Sequence, residues 1–256
     1  MPTIDEILQP YATSYLALPI VTDWSDGFPV REIVVDEEKT LVLAATLRQH
    51  FADTKIWPLI IDEHGETAES IREAIDPDDD IPVGQAAIDA SQGVDPLTLL
   101  PDGVKTRQVD SPAAIELMKA PQSIRPRSGG INMVVGEGVM VEVDPSYGHV
   151  LLVPCDAAWE SVVRVGFGNW NQCPPPAEQA VFLRCFAEGA GAEPVAINHA
   201  AVYLEMTRKV DDPTDAVRLA RVFVRYCYEL IGLGVDHEAV AAALLGGPST
   251  WALWWD

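Results

Sequence analysis

Apolar residues recur along this chain with two periods, and the switches between them mark out its elements. Ile4 to Tyr15 reads as a helix, Ile33-Val34-Val35 as a short β-rich run closed by Asp36, Glu37 and Glu38, and Thr40 to Phe51 as a helix carrying Leu41, Ala44, Ala45 and Leu47 at helical spacing. Ile56 to Ile61 is an apolar run of strand length. Its Pro58 predicts a place near a sheet edge or a strand start, because proline has no N–H to give to a ladder. Further on, Ile131 to Val135 and Val139 to Val143 flank a glycine-rich turn as a hairpin, Val150 to Val153 reads as a buried strand, and Trp159 to Phe167 as a short helix.

The last third of the chain is punctuated most clearly. Pro174 to Pro176 preset φ for a helix entry, Glu178 suits the first turn, and Gly189 and Gly191 stop the helix, which bounds it at about 177–188. Pro194 to Ile197 and Val202 to Met206 form a hairpin around Asn198-His199. Asp212 supplies an N-cap, Pro213 an N1 proline and Asp215 a first-turn acid for a long helix reaching Ile231. Asp236 caps a shorter helix through Leu245, and Trp251 to Asp256 is a terminal strand with Trp254 opposite Trp251, Leu253 and Trp255.

The expected fold is α+β, a mainly antiparallel sheet with helices packed on it, with a mixed α/β sheet as the alternative. Residues 1–130 read as an N-terminal α/β lobe and 131–256 as a C-terminal α+β domain. The N-terminal strand-helix unit either extends the C-terminal sheet or stands as a second lobe.

Composition changes this picture in one respect. With 48% hydrophobic and 22% charged residues the chain has the profile of a globular protein, but its net charge is −22. Half of that, a net −11, falls in 62–116, which prolines at 77, 82, 96, 101 and 112 break into turns; it reads as a long solvated insertion. Such a charge repels nucleic-acid backbones and anionic lipid and leaves basic protein partners open. The first twenty residues lack the basic start of an export signal, and the longest apolar runs are far shorter than the ~20 residues that span a bilayer. Cys155, Cys173, Cys185 and Cys227 match neither a disulfide framework nor a zinc knuckle, so reduced thiols in a cytoplasm are expected. No metal or cofactor is expected: Asp76-x-Asp78-x-Asp80 begins like a calcium loop, yet Ile81 stands where glycine is needed and Ala87 where the closing acid belongs.

Several C-terminal motifs carry a family resemblance. Gly168-Asn-Trp-Asn-Gln-Cys-Pro-Pro-Pro176, Glu178, Leu183-Arg184, Gly191-Ala-Glu193-Pro-Val195, Tyr203-Leu-Glu205, Tyr226-Cys227 and the final Trp251-Ala-Leu-Trp-Trp-Asp256 resemble the bacterial "domain of unknown function 4253" family. Leu47-Arg48 and Ile56-Trp57-Pro58-Leu59 resemble a Leu-Arg … Trp-Pro segment found upstream in such proteins. Members commonly carry Cys-Pro-Asp after the aromatic residue of the long helix. Here the stretch is Tyr226-Cys227-Tyr228-Glu229, so that proline and aspartate are missing. The resemblance implies a class of protein and no activity.

Chemistry must come from the residues. Nucleophile-elbow, zincin and P-loop patterns are absent. Cys173 precedes a helix whose N-terminal dipole favours a thiolate, and His199 lies in the following hairpin, so a hydrolase or transferase site would draw on Cys173, His199, Glu205, Trp170, Asn171 and the terminal tryptophans. Against this, a cysteine at a proline-rich helix entry and a histidine in a turn have plain structural readings. Trp254 and Asp256, with the terminal carboxylate, offer a polar-aromatic patch. Arg218, Arg221 and Arg225, joined by Arg208 and Lys209, form an anion-binding ridge on the outer face of the long helix. Its intramolecular alternative pairs Asp215 with Arg218 and Glu229 with Arg225, and docks the acidic insertion there. Two function classes compete: an immunity-type binding protein that captures a basic partner, favoured by charge and by the lack of a nucleophile-base set, and an enzyme with a site near Cys173.

Overall fold

The computed structural model describes residues 3–14, 16–17, 30–61, 71, 80–99, 134–135, 139–140, 149–227, 237–246 and 249–255. Helix α1 (Ile4–Leu8) opens with a capping box between Thr3 and Glu6 and runs into a 3-10 turn, Gln9–Ser14. There follow β1 (Leu16–Ala17), β2 (Arg31–Val34), α2 (Glu37–Gln49), α3 (Phe51–Thr54) and β3 (Ile56–Ile61). Next come α4 (Gly84–Ala90), a 3-10 turn at Pro96–Thr98, and the small hairpin of β4 (Val134–Val135) and β5 (Val139–Met140). The C-terminal part contains β6 (His149–Pro154), α5 (Glu160–Arg164), α6 (Pro176–Ala190), β7 (Ala192–Ile197), β8 (Ala201–Met206), α7 (Pro213–Tyr226), α8 (His237–Gly246) and β9 (Ser249–Trp254).

Among the described residues seven strands form one sheet in the order β1-β2-β6-β3-β7-β8-β9, so the fold is α+β with a mostly antiparallel sheet. Among these strands the one parallel pair is β3 with β7. The N-terminal strand-helix unit therefore extends the C-terminal sheet: β3 lies between β6 and β7.

Side-chain alternation gives the sheet two dry faces. Ile33, Ile60, Val150, Leu152 and Ala196 meet Leu43, Ala44 and Leu47 of α2 and Ile7 and Leu8 of α1. Leu59, Ile61, Leu151, Val153, Val202 and Leu204 meet α4 to α8 on the opposite face. Fully burying a large apolar side chain contributes roughly 1.5–3 kcal/mol, so the larger layer, which encloses Phe167, Phe182, Phe223, Trp251 and Trp255, dominates stability.

The helix boundaries follow their local chemistry. In α6 the first residue is Pro176, and Gly191 closes the helix in the left-handed region at φ 64°, where an added Cβ would lie 2.4 Å from Thr207 Oγ1. The Asp212 carboxylate caps α7 by accepting from Thr214 N at 2.6 Å. Helix α7 ends at Tyr226; the expected extension to Ile231 lies outside the described residues.

Two expectations change. Of the two places offered to Pro58, a sheet edge and a strand start, it takes the second, as the third of the six residues of a central strand. On the β6 side it stands opposite Leu152, whereas registered pairing with β7 begins only at Ile60, so its missing N–H falls where β3 and β7 have not yet joined. The indole of Trp57 bridges that gap, Nε1 donating to Pro194 O at 2.7 Å. The second concerns 62–116. Within it, α4 is packed rather than solvated: Ala87 and Ile88 are in the main core, Gln85 accepts from Arg164 at 2.9 Å, and Ser91 O accepts from Arg184 at 2.8 Å. Among the described residues no helix is long and apolar enough to cross a membrane.

Two substitutions test these points by chemical denaturation. Trp57→Phe keeps an aromatic ring but removes both the donor to a buried carbonyl and part of the buried ring volume, and is expected to cost ~1–3 kcal/mol. Ile88→Ala is expected to cost ~2–4 kcal/mol if the segment is core, whereas the exposed Asp89→Asn should stay within ~0.5 kcal/mol of the parent.

Candidate functional site

The register divides the sequence-derived site residues between the two ends of the sheet. Ile61, His149, Ile197, Ala201 and Trp254 lie at one end, where β3 and β7 finish. His199 occupies the exposed turn there, beside Asn198, whose Oδ1 accepts from Ala200 N at 2.9 Å. Trp255 N donates to Ala200 O, and the Trp255 ring packs against Phe167 and Tyr226. Tyr226 OH donates to Gln179 Oε1, and Gln179 Nε2 donates to Pro174 O and to Cys173 Sγ, each at 3.2 Å. These contacts link the turn that carries His199 to Cys173 across the base of α6.

Cys173 is therefore at the helix entry, but buried, 4% exposed, with its sulfur held by an amide rather than open to a substrate. Its loop contains four residues at positive φ: Gly166, Gly168, Asn169 and Asn171. At Gly168 an added Cβ would sit 2.1 Å from Pro174 O, which fixes glycine there. Trp170 is half-buried and stands edge-on to Phe167 at 4.6 Å, Asn171 is exposed, and Trp254 is half-buried with its C=O accepting from Cys227 Sγ at 3.1 Å. Asp256 lies outside the described residues. At the same end the imidazole of His149 meets the buried carboxylate of Glu32, Nδ1 to Oε1 2.6 Å, a pair the sequence reading missed because it began the β-run at Ile33.

Glu205 stands at the opposite end, apart from Cys173 and His199. Its Oε2 accepts from Arg48 Nη1 at 3.3 Å, and Glu193 is its cross-strand neighbour. The Arg48 guanidinium lies 5.5 Å above the Trp57 ring, which in turn meets Phe51 edge-on. Residues quoted separately as family-like, Arg48, Trp57, Glu193, Pro194 and Glu205, thus converge on one place. Burial pushes the Glu193 carboxyl above its usual range, with Arg48 opposing and Glu205 reinforcing the shift; burial also lowers the Arg48 pKa.

Near this end, a groove of about 680 Å³ opens between α6 and the start of α7, bordered by Gly93–Pro96 and Lys209–Asp212. It receives Arg218, which is exposed. Asp215 and Arg218 form no ion pair, and Glu229 lies outside the described residues. Arg221 is half-buried and Arg225 is 4% exposed, so the expected outer ridge does not extend to Arg225. Arg208 turns onto the end of α6 instead, Nη2 donating to Ala187 O and Glu188 O. Among the described residues no cluster of His, Cys, Asp and Glu suits a metal ion.

Residues 149–256 match the family model described as Domain of unknown function (DUF4253), the same C-terminal region that carries the motifs. No curated protein and no solved structure matches the chain.

The raised Glu193 pKa has a definite sign. A carboxyl that is harder to ionise when folded loses stability as pH rises from the unfolded value, ~4.3, through the folded one. Glu193→Gln is expected to raise Tm at pH 7 by about 1–3 °C, a small figure because the group is half-exposed, and to leave it unchanged near pH 3.5. Calorimetry across that range checks this.

Proposed function

We propose that the protein is an acidic binding protein of the immunity type, acting in the bacterial cytoplasm, that captures a basic protein partner. The observation that carries this reading is how the few cations are spent. Arg48 is held by Glu205 and Trp57, Arg164 by Glu160 and Gln85, Arg184 by Ser91, and Arg208 by helix-end carbonyls, while Lys39 and Lys209 pair with Asp36 and Asp211. With 39 acids against 17 Lys and Arg, the charge left to face a partner is strongly negative. A field of one sign steers an oppositely charged protein and raises its capture rate by roughly 10–1,000-fold at low salt.

The enzyme reading has less support, since Glu205 is distant from Cys173 and His199 along the strands and the Cys173 sulfur is enclosed. Affinity capture at low salt from the native cell, followed by reconstitution with the purified partner, tests the choice. The expected result is a basic partner whose association rate falls at least ~10-fold between low and high salt. A purified chain that instead turns over a metabolite, and stops doing so on Cys173→Ala, overturns the binding reading.

A further inference from the structure

We propose that the groove between α6 and α7 is the seat for a cationic side chain, lysine or arginine, of the protein partner. The inference rests on the binding reading above and names the place and chemistry of contact.

The groove has an apolar floor and a charged rim. Val181, Cys185, Val210 and Leu219 form the floor. Burial pushes the Cys185 thiol up to about 11, so at neutral pH it is a neutral part of that floor. Carboxylates outnumber cations among the lining residues, five to three. Two of the cations are engaged within the fold, Arg184 on Ser91 and Lys209 on Asp211 at 3.0 Å, and three of the acids are engaged as well, Asp211 on Lys209, Asp95 on Leu97 N and Asp212 on Thr214 N. Glu188 from α6 and Asp215 from α7 are exposed, and among the described residues their carboxylates have no hydrogen-bond or ion-pair partner, so the open rim carries two carboxylates against the one exposed guanidinium of Arg218.

This arrangement selects the occupant. A bare metal ion needs converging ligands, and here the acids are spread around an apolar base. An anion would meet the excess of carboxylates. A lysine or arginine side chain fits both parts, laying its alkyl stem on the floor and its charged head against the rim.

Cys185 is a built-in reporter, because Cys155, Cys173 and Cys227 are buried and Cys185 is not. The test uses the full chain, a fluorescent hexa-lysine peptide at low salt, and a maleimide that alkylates accessible thiols. Peptide binding followed by anisotropy is expected to slow Cys185 alkylation several-fold. Glu188→Gln combined with Asp215→Asn is expected to weaken binding about tenfold and to abolish the protection. Glu38→Gln combined with Asp53→Asn, which removes the same charge from exposed sites on α2 and α3, should change binding less than twofold. Thermal melts of both double variants check that they are folded. Binding without Cys185 protection, or equal loss in the two double variants, overturns the groove and leaves the binding reading intact. Absence of any salt-sensitive peptide binding by the parent chain overturns both.

Discussion

The fold depends on β3 lying between β6 and β7. Both neighbours belong to the region that matches the family model, whereas β3 does not, so residues 149–256 do not form a continuous sheet by themselves. Two prolines obstruct the joint: Pro58 and Pro194 have no N–H, and the first halves of β3 and β7 cannot build a regular ladder. The strands pair in register at Ile60 with Ala196 and Ile61 with Ile197. Trp57 replaces the missing ladder bond with a side-chain donor, and its ring then offers a face to Arg48. One indole thereby serves the sheet, through Pro194, and the docking of α2, through the arginine that reaches Glu205.

That joint also accounts for the electrostatics of its end of the molecule. Glu193 and Glu205 face each other across β7 and β8, an arrangement that destabilises a hairpin through like-charge repulsion. Arg48 offsets it from another layer, though burial lowers its own pKa and leaves Glu193 reluctant to ionise. The cost is bounded because Glu205 is 49% exposed, where an ion pair contributes only ~0.2–1 kcal/mol. The cluster works as a brace between the N-terminal helix layer and the C-terminal hairpin. The groove between α6 and α7 differs in this respect, since Glu188 and Asp215 have no such partner.

Local chemistry was legible in the sequence, and long-range pairing was not. The limits of α6 and the start of α7 follow from Pro176, Gly191, Asp212 and Pro213, each acting within a turn of itself. Strand order depends on which strands meet across the chain, and hydrophobic period is silent on that. For Pro58 the choice between a sheet edge and a strand start stayed open, because it turns on where the β3–β7 ladder begins. Helix α4 was overlooked because its buried face is little more than Ala87 and Ile88, set in an acidic stretch. Arg225 looked like a surface residue because α7 has a well-formed apolar stripe, yet from Val222 to Cys227 every residue is buried, as α6, α8 and the terminal tryptophans pack against the helix. Glu205, Arg48 and Glu193 each stand in a family-like motif, but that they are partners required the register.

The end of α7 shows how a helix stops here without a proline. At Cys227 the backbone leaves helical geometry, with φ −131° and ψ 76°, and no proline is present to enforce the stop. The terminal strand and its exit do so instead: Trp255 Nε1 donates to Tyr226 O at 3.2 Å, and Cys227 Sγ donates to Trp254 O. The Tyr226 phenol, fully buried and with its pKa raised well above the usual value by that burial, stays protonated and so remains a donor to Gln179. Gln179 is thereby oriented with its amide N–H groups toward Pro174 and Cys173, which holds the loop and its positive-φ residues against α6. Loop, helix end and terminal tryptophans form one hydrogen-bonded unit inside the main core. The end of the sheet carrying Cys173 is consequently packed architecture, and the groove between α6 and α7 lies nearer the other end.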